Sequence, residues 1–124
     1  ELSSLKTIAA FLNSNGGFLL IGVDDEGAII GLGKEVQAFH KGKKDKFLLN
    51  FKNHIKSRIG EEFYPYINHK FVSVSGNDIL LVECKRSSTE CFLDKKDFYV
   101  RTNPATDKLE GVKLIDYIRN HFVT

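Results

Sequence analysis

The hydrophobic and polar positions of this chain change period several times, and each change marks out an element. Leu2, Leu5, Ile8, Ala9 and Leu12 recur at spacings that share one helical face. Asn13-Ser14-Asn15-Gly16-Gly17 closes that helix, with glycines able to take the left-handed conformation of a C-cap. Phe18 to Val23 is an unbroken apolar run, too short for a second helix, and it predicts a central strand covered on both faces. Asp24-Asp25-Glu26-Gly27 then reads as a tight turn, and Ala28 to Leu32 as a short return strand.

Beyond a loop over 33–42, a helical period returns from Asp45 to Ile59. Phe47, Leu48, Phe51, Ile55 and Ile59 form its apolar stripe, and Gly60 stands at its end. Ile67 to Val74 and Ile79 to Lys85 predict a β-hairpin around Ser75-Gly76-Asn77-Asp78, with Ile79-Leu80-Leu81-Val82 inside the sheet. Phe92-Leu93 and Phe98 to Thr102 predict a second hairpin around Asp94-Lys95-Lys96-Asp97. Asn103-Pro104-Ala105-Thr106 breaks the pattern. Glu110 to Phe122 is a closing helix whose core face is Leu114 or Ile115, Ile118 and Phe122.

Length and composition narrow the class. A chain of 124 residues reads as one domain, able to bury roughly two-thirds of its unfolded surface. With 42% hydrophobic and 27% charged residues it has the make-up of a soluble globular protein. No apolar stretch approaches the ~20 residues of a membrane span, and no secretory signal is visible. Two cysteines are too few for a disulfide framework, so a reduced, cytoplasmic setting is expected. The absence of methionine implies that Glu1 is not a native start and that the segment belongs to a longer polypeptide.

Charge changes the picture more. The net charge is only +2, but 34–58 carries eight Lys or Arg against two acids, a local +6 that leaves the remainder at −4. Such segregation suits a polyanionic partner, although lysine-rich helices are also ordinary solvated surface.

The stretch from Thr7 to Leu32 resembles the signature of the AlbA-2 domains found in Schlafen proteins and in many bacterial proteins. The resemblance is carried by Ala10, Phe11, Asn13, Gly16, Gly17, Ile21, Gly22, Val23, Asp25, Gly27, Ile30, Gly31 and Leu32. It resumes at Phe98-Tyr99-Val100-Arg101, Thr106 and Tyr117-Ile118. The resemblance implies an α+β fold over 1–124, an Alba-like mixed sheet with helices packed on it. The family's opening strand, with its E-x-x-x-x-E-F-K, has no counterpart here, so that first strand is expected to be missing from the chain.

Candidate chemistry follows from the same residues. Asp24, Asp25 and Glu26 sit where carboxylates could hold Mg²⁺ or Mn²⁺, which would orient a phosphodiester and activate water. The resemblance implies that Asp25, with Asp24 beside it, works with the two upstream glutamates in Schlafen-type nucleases. Without those glutamates, ordinary turn chemistry is the stronger reading, because a metal site needs several converging ligands. A P-loop is rejected: Gly33-Lys34 is followed by Glu35, and Ala28 stands where the first glycine should be. A dinucleotide motif fails for want of a third glycine after Gly31-x-Gly33. Cys84, Cys91, His54 and His69 form no zinc pattern; Cys84 reads as a small core hydrophobe, and His40, His54 and His121 as surface residues. Arg101 suits either a phosphate contact or an internal ion pair with Asp24 or Asp25.

The leading expectation is a nucleic-acid-binding module, part of a larger regulatory or defence protein, with DNA and RNA both open as partners. Lys43, Lys44, Lys46, Lys52, Lys56, Lys85, Arg86 and Arg101 would contact phosphates. The basic segment shows no cluster of base-stacking aromatics, since Phe47 and Phe51 read as core. The rival is a metal-dependent nuclease using the Asp24-Asp25 turn. A nucleotide-binding or dimerisation domain is a third reading, as Alba-like folds often pair.

Overall fold

The last turn and a half of the first helix, Ile8 to Leu12, is apolar on every side, and a segment of that kind has to be enclosed. In the computed structural model, which describes residues 2–21, 44–74 and 77–122, helix α1 (Leu2–Leu12) packs against strands of two separate sheets. Every residue from Ile8 to Ser14 is buried. The first sheet holds β1 (Gly17–Ile21), β2 (Ile67–Val74) and β3 (Asn77–Cys84) in the order β1-β3-β2. The second holds β4 (Phe92–Leu93), β5 (Asp97–Arg101) and β6 (Thr106–Leu109) in chain order.

The fold is α+β, as the sequence predicts, with helices packed on sheet; among the described residues the strands form two antiparallel sheets. All described strand pairs are antiparallel. Short connections join β2 to β3, β4 to β5 and β5 to β6, and such hairpins cannot make a parallel pair. The Leu80–Val82 stretch lies in the central strand of its sheet and is inaccessible at Leu80 and Val82, as its composition demands. Strand β6 is not among the predicted elements; it lies in a polar stretch that alternates weakly and has no buried residue.

Strand β1 departs from expectation. Phe18–Val23 reads as covered on both faces, yet β1 alternates: Phe18 is 65% and Leu20 46% exposed, while Leu19 and Ile21 pack on the core. An antiparallel sheet, unlike a parallel one, can leave one face open.

Helix α2 (Lys44–His54) runs on through a π-helical turn, Ile55–Ile59, whose Ile55 and Ile59 are buried. Gly60 ends it, its N–H donating to the Ile55 carbonyl at 2.8 Å with φ at +126°. A 3-10 turn, Glu61–Tyr66, leads into β2. Helix α3 (Gly111–Phe122) buries no residue completely. It rests on half-buried Leu114, Tyr117, Ile118, His121 and Phe122, so Leu114 and not Ile115 belongs to the packed face. His121, expected at the surface, stacks on Tyr117 with ring centroids 4.9 Å apart. Burial and the nearby Arg86 cation hold its pKa below the ordinary value. Cys84 and Cys91 are buried, and burial pushes both thiols up to about 12, so they serve as small apolar side chains. Among the described residues, no helix is long and apolar enough to cross a membrane.

Candidate nucleic-acid interface

The end of α1 fixes the frame from which the candidate contacts project. Asn13 is inaccessible to solvent, and its amide serves both strands of the second hairpin. Nδ2 donates to the carbonyls of Cys91 and Tyr99 at 2.8 and 2.9 Å, and Oδ1 accepts the Cys91 N–H at 2.8 Å. The Asn13 carbonyl accepts the Tyr117 hydroxyl, which anchors α3. Ser14 Oγ accepts the Arg101 N–H at 2.8 Å. The Asn13 and Arg101 positions of the sequence signature are therefore joined through one buried hydrogen-bonded corner.

Lys52 and Lys56 lie on either side of the junction between α2 and its π-helical turn, and both are exposed. The Lys52 ammonium stands 5.4 Å from the centroid of the Tyr64 ring, while the Tyr64 hydroxyl donates to the Lys52 carbonyl at 3.3 Å. Lys56 faces Glu61 at 3.7 Å. Both groups of that pair are well exposed, and a pair of this kind is worth little in water, so it leaves the ammonium available to a phosphate. Arg58, two residues on, is committed elsewhere. It grips Asp94 through two hydrogen bonds, Nε to Oδ1 at 2.9 Å and Nη2 to Oδ2 at 2.7 Å. The Asp94 N–H donates to the Arg58 carbonyl at 2.7 Å, and Asp94 and Lys95 both take positive φ in the hairpin turn.

The Arg58 hydrogen bonds hold the Asp94 carboxyl below its ordinary value, against a smaller opposing effect of desolvation. A depressed carboxylate contributes stability that is present above its unfolded pKa, ~3.9, and is lost as pH falls through the folded value. Asp94→Asn should therefore be less stable than the parent near neutral pH. The difference should shrink in acid, as followed by thermal unfolding at a series of pH values.

The other expected contacts are differently placed. Lys85 is exposed just beyond β3, its N–H bonded to the Tyr66 carbonyl at 2.8 Å. Arg86 Nη2 donates to the His121 carbonyl at 2.6 Å, where a cation complements the last turn of α3. Arg101 is half-buried: Nη1 donates to Thr106 Oγ1 at 2.9 Å, and its guanidinium carbon lies 5.3 Å from the Phe11 ring centroid. These two arginines have partners within the fold. Lys44 and Lys46 belong to α2 by their backbone. Lys43, the Asp24-Asp25-Glu26 turn, the expected strand over 28–32 and most of the basic loop lie outside the described residues. Among the described residues, no group of three or more His, Cys, Asp or Glu could hold a metal ion, and the expected ligands Asp24 and Asp25 lie outside them. Sequence reasoning misses Lys70, an exposed cation of β2, because it lies in a predicted strand away from the basic segment 34–58.

An α+β domain with a helix enclosed against two antiparallel sheets, and with lysines along its second helix, is thus the kind of protein the structure defines. Residues 2–110 match the Schlafen, AlbA_2 family, and the chain belongs to that family. Among solved structures, it is similar to the DIP2311 protein from Corynebacterium diphtheriae, at 17% identity and a TM-score of 0.65. That likeness covers 98% of this chain and 22% of the other, so the chain spans about a fifth of the length of that relative. No curated protein matches the chain.

Proposed function

We propose that this domain is a nucleic-acid-binding module that grips the sugar–phosphate backbone and works within a larger regulatory or defence protein. The observation that carries the reading is the exposed pair Lys52 and Lys56 on α2 and its π-helical turn, in a chain of the Schlafen AlbA_2 family. Two ammonium groups on adjacent turns can meet successive phosphates, and the surrounding segment supplies further lysines at 43, 44 and 46. Lys85 would extend the contact beyond the helix. Phosphate contacts of this kind set position and affinity without reading sequence.

The experiment is fluorescence anisotropy at low salt with labelled duplex and single-stranded DNA and RNA. The parent should bind, and Lys52→Glu/Lys56→Glu should bind at least ~10-fold more weakly, since two attractive contacts become repulsive. Absence of binding to every probe would refute the reading.

Catalysis is a separate matter. Metal-assisted hydrolysis needs a cation held firmly enough to stabilise charge on the attacking and leaving oxygens. Asp24, Asp25 and Glu26 are expected to offer oxygens from one turn, which by itself does not surround a cation. This chain is therefore expected to leave labelled RNA and DNA intact in the presence of Mg²⁺ or Mn²⁺. Cleavage by the parent but not by Asp24→Asn/Asp25→Asn would replace the binding module with a nuclease.

A further inference from the structure

The open face of the first sheet carries side chains that the phosphate contacts do not use. Register places Phe18, Glu83 and Asn68 side by side across β1, β3 and β2, and Leu20, Leu81 and Lys70 in the neighbouring row. Directly opposed residues share a face, so these six form one surface. Phe18 is 65% exposed, an unusual position for a phenylalanine in the body of a strand. Beside it lies a hollow of about 220 Å³, lined by Phe18, Asn68, His69, Lys70, Leu81 and Glu83. That is smaller than the ~300–1,000 Å³ of a typical small-molecule pocket. It has room for one flat ring system laid against the phenylalanine.

We propose that this hollow receives an unpaired base of single-stranded nucleic acid, stacked on Phe18, with its phosphate drawn to Lys70. The proposal rests on the nucleic-acid reading above and adds the form of nucleic acid that the domain prefers. Each side chain answers a part of a nucleotide. The Phe18 ring offers a π-face, which every base can stack on. Asn68 offers an amide that donates and accepts, and Glu83 offers a carboxylate that accepts from a base N–H. The carboxylate also repels a phosphate, which directs the backbone outward to Lys70 and to the exposed Lys85. A duplex keeps its bases stacked inside and cannot fill the hollow.

The hollow reaches β2 at His69, which by register belongs to the other face of the strand, opposite the buried Val82. His69, which lines it, meets the Phe51 ring edge-on with centroids 5.7 Å apart. Burial, with the charge of neighbouring Lys52 added to it, keeps His69 below its ordinary pKa.

The test compares a short thymidine strand, a strand of the same length with abasic sites, and a duplex, against the parent, Phe18→Ala, Phe18→Tyr and Lys52→Glu/Lys56→Glu. The parent should favour the thymidine strand over the other two. Phe18→Ala should weaken the thymidine strand by about 5- to 150-fold, the range of one lost base stack, while leaving the abasic strand and the duplex unchanged. Phe18→Tyr should retain the preference. Phe18 is largely exposed, so circular dichroism should show Phe18→Ala folded. Unchanged binding of the thymidine strand by Phe18→Ala, with weaker binding by the lysine double variant, would overturn the stacking site and leave the phosphate interface standing. A change of sedimentation with Phe18→Ala, and none in nucleic-acid binding, would overturn it in favour of a protein-docking face. Failure of the parent to bind any probe would end both readings together.

Discussion

Asn13→Ala is expected to cost at least ~3 kcal/mol of folding stability, because each buried backbone group left without a partner costs about 1–3 kcal/mol. The change strips partners from the Cys91 N–H and from the carbonyls of Cys91 and Tyr99 in a place water does not reach. Domain stabilities of ~5–15 kcal/mol make this a large fraction of the whole. Urea unfolding would measure it. Asn13→Asp separates hydrogen bonding from volume. The new carboxylate would turn an oxygen toward two carbonyls, so its folded pKa would be raised by burial and repulsion. A raised acid loses stability as pH climbs above its unfolded pKa, so Asn13→Asp should be worst tolerated near neutrality and partly rescued in acid. Equal stability of the parent and Asn13→Ala would show that the amide is not holding the two strands of the second hairpin.

The second large effect belongs to Gly16. Its φ is +77°, and an added Cβ would lie 2.5 Å from the Cys84 carbonyl oxygen, with the backbone of Lys85 and Arg86 at 3.2 and 3.3 Å. Left-handed backbone costs an L-residue about 1–2 kcal/mol before any clash. The obstructing atoms are backbone at the end of a paired strand and cannot rotate aside. Gly16→Ala is therefore expected to lose at least ~2 kcal/mol once contact strain is added to the dihedral cost. Gly17 is not in the left-handed region, and the obstacle to its Cβ is the Phe11 ring, nearest at 2.6 Å. That ring belongs to a side chain, but one that is itself buried and packed under Arg101. Gly17→Ala should be damaging and still milder than Gly16→Ala. Thermal unfolding of the two variants would rank them, and the reverse order would contradict the reading.

The Gly-Gly pair marks both the reach and the limit of the sequence. It announces the switch from helix to strand, because only glycine accepts such a turn cheaply, yet it does not say which glycine turns and which makes room. Both hairpins and the central position of Leu80 and Val82 are legible because their periods and turn residues agree. Strand β6 is not, since Thr106-Asp107-Lys108-Leu109 owes its pairing to β5 and has little apolar pattern of its own. Burial of Asn13 is equally hidden. A polar residue at a helix end reads as a cap, and its partners lie 78 and 86 residues away. The openness of β1 escapes the pattern for a related reason: an apolar run does not reveal whether both faces have a neighbour.

For the candidate site the balance is similar. Local charge picks out Lys52 and Lys56, which are exposed, but it cannot foresee that Arg86 caps α3 or that Arg101 lies over Phe11. Phe18 escapes a search for stacking aromatics within the basic segment, because the exposed ring stands on a different element.

Binding through phosphates should declare itself in the salt dependence of affinity for a single duplex probe. Each neutralised phosphate adds about −0.9 to the slope of log K against log salt. The parent should show a steep negative slope, and Lys52→Glu/Lys56→Glu a slope shallower by about two contacts' worth, together with weaker binding at every salt concentration. A parent slope near zero, or the same slope and affinity in the double variant, would contradict phosphate binding by this face.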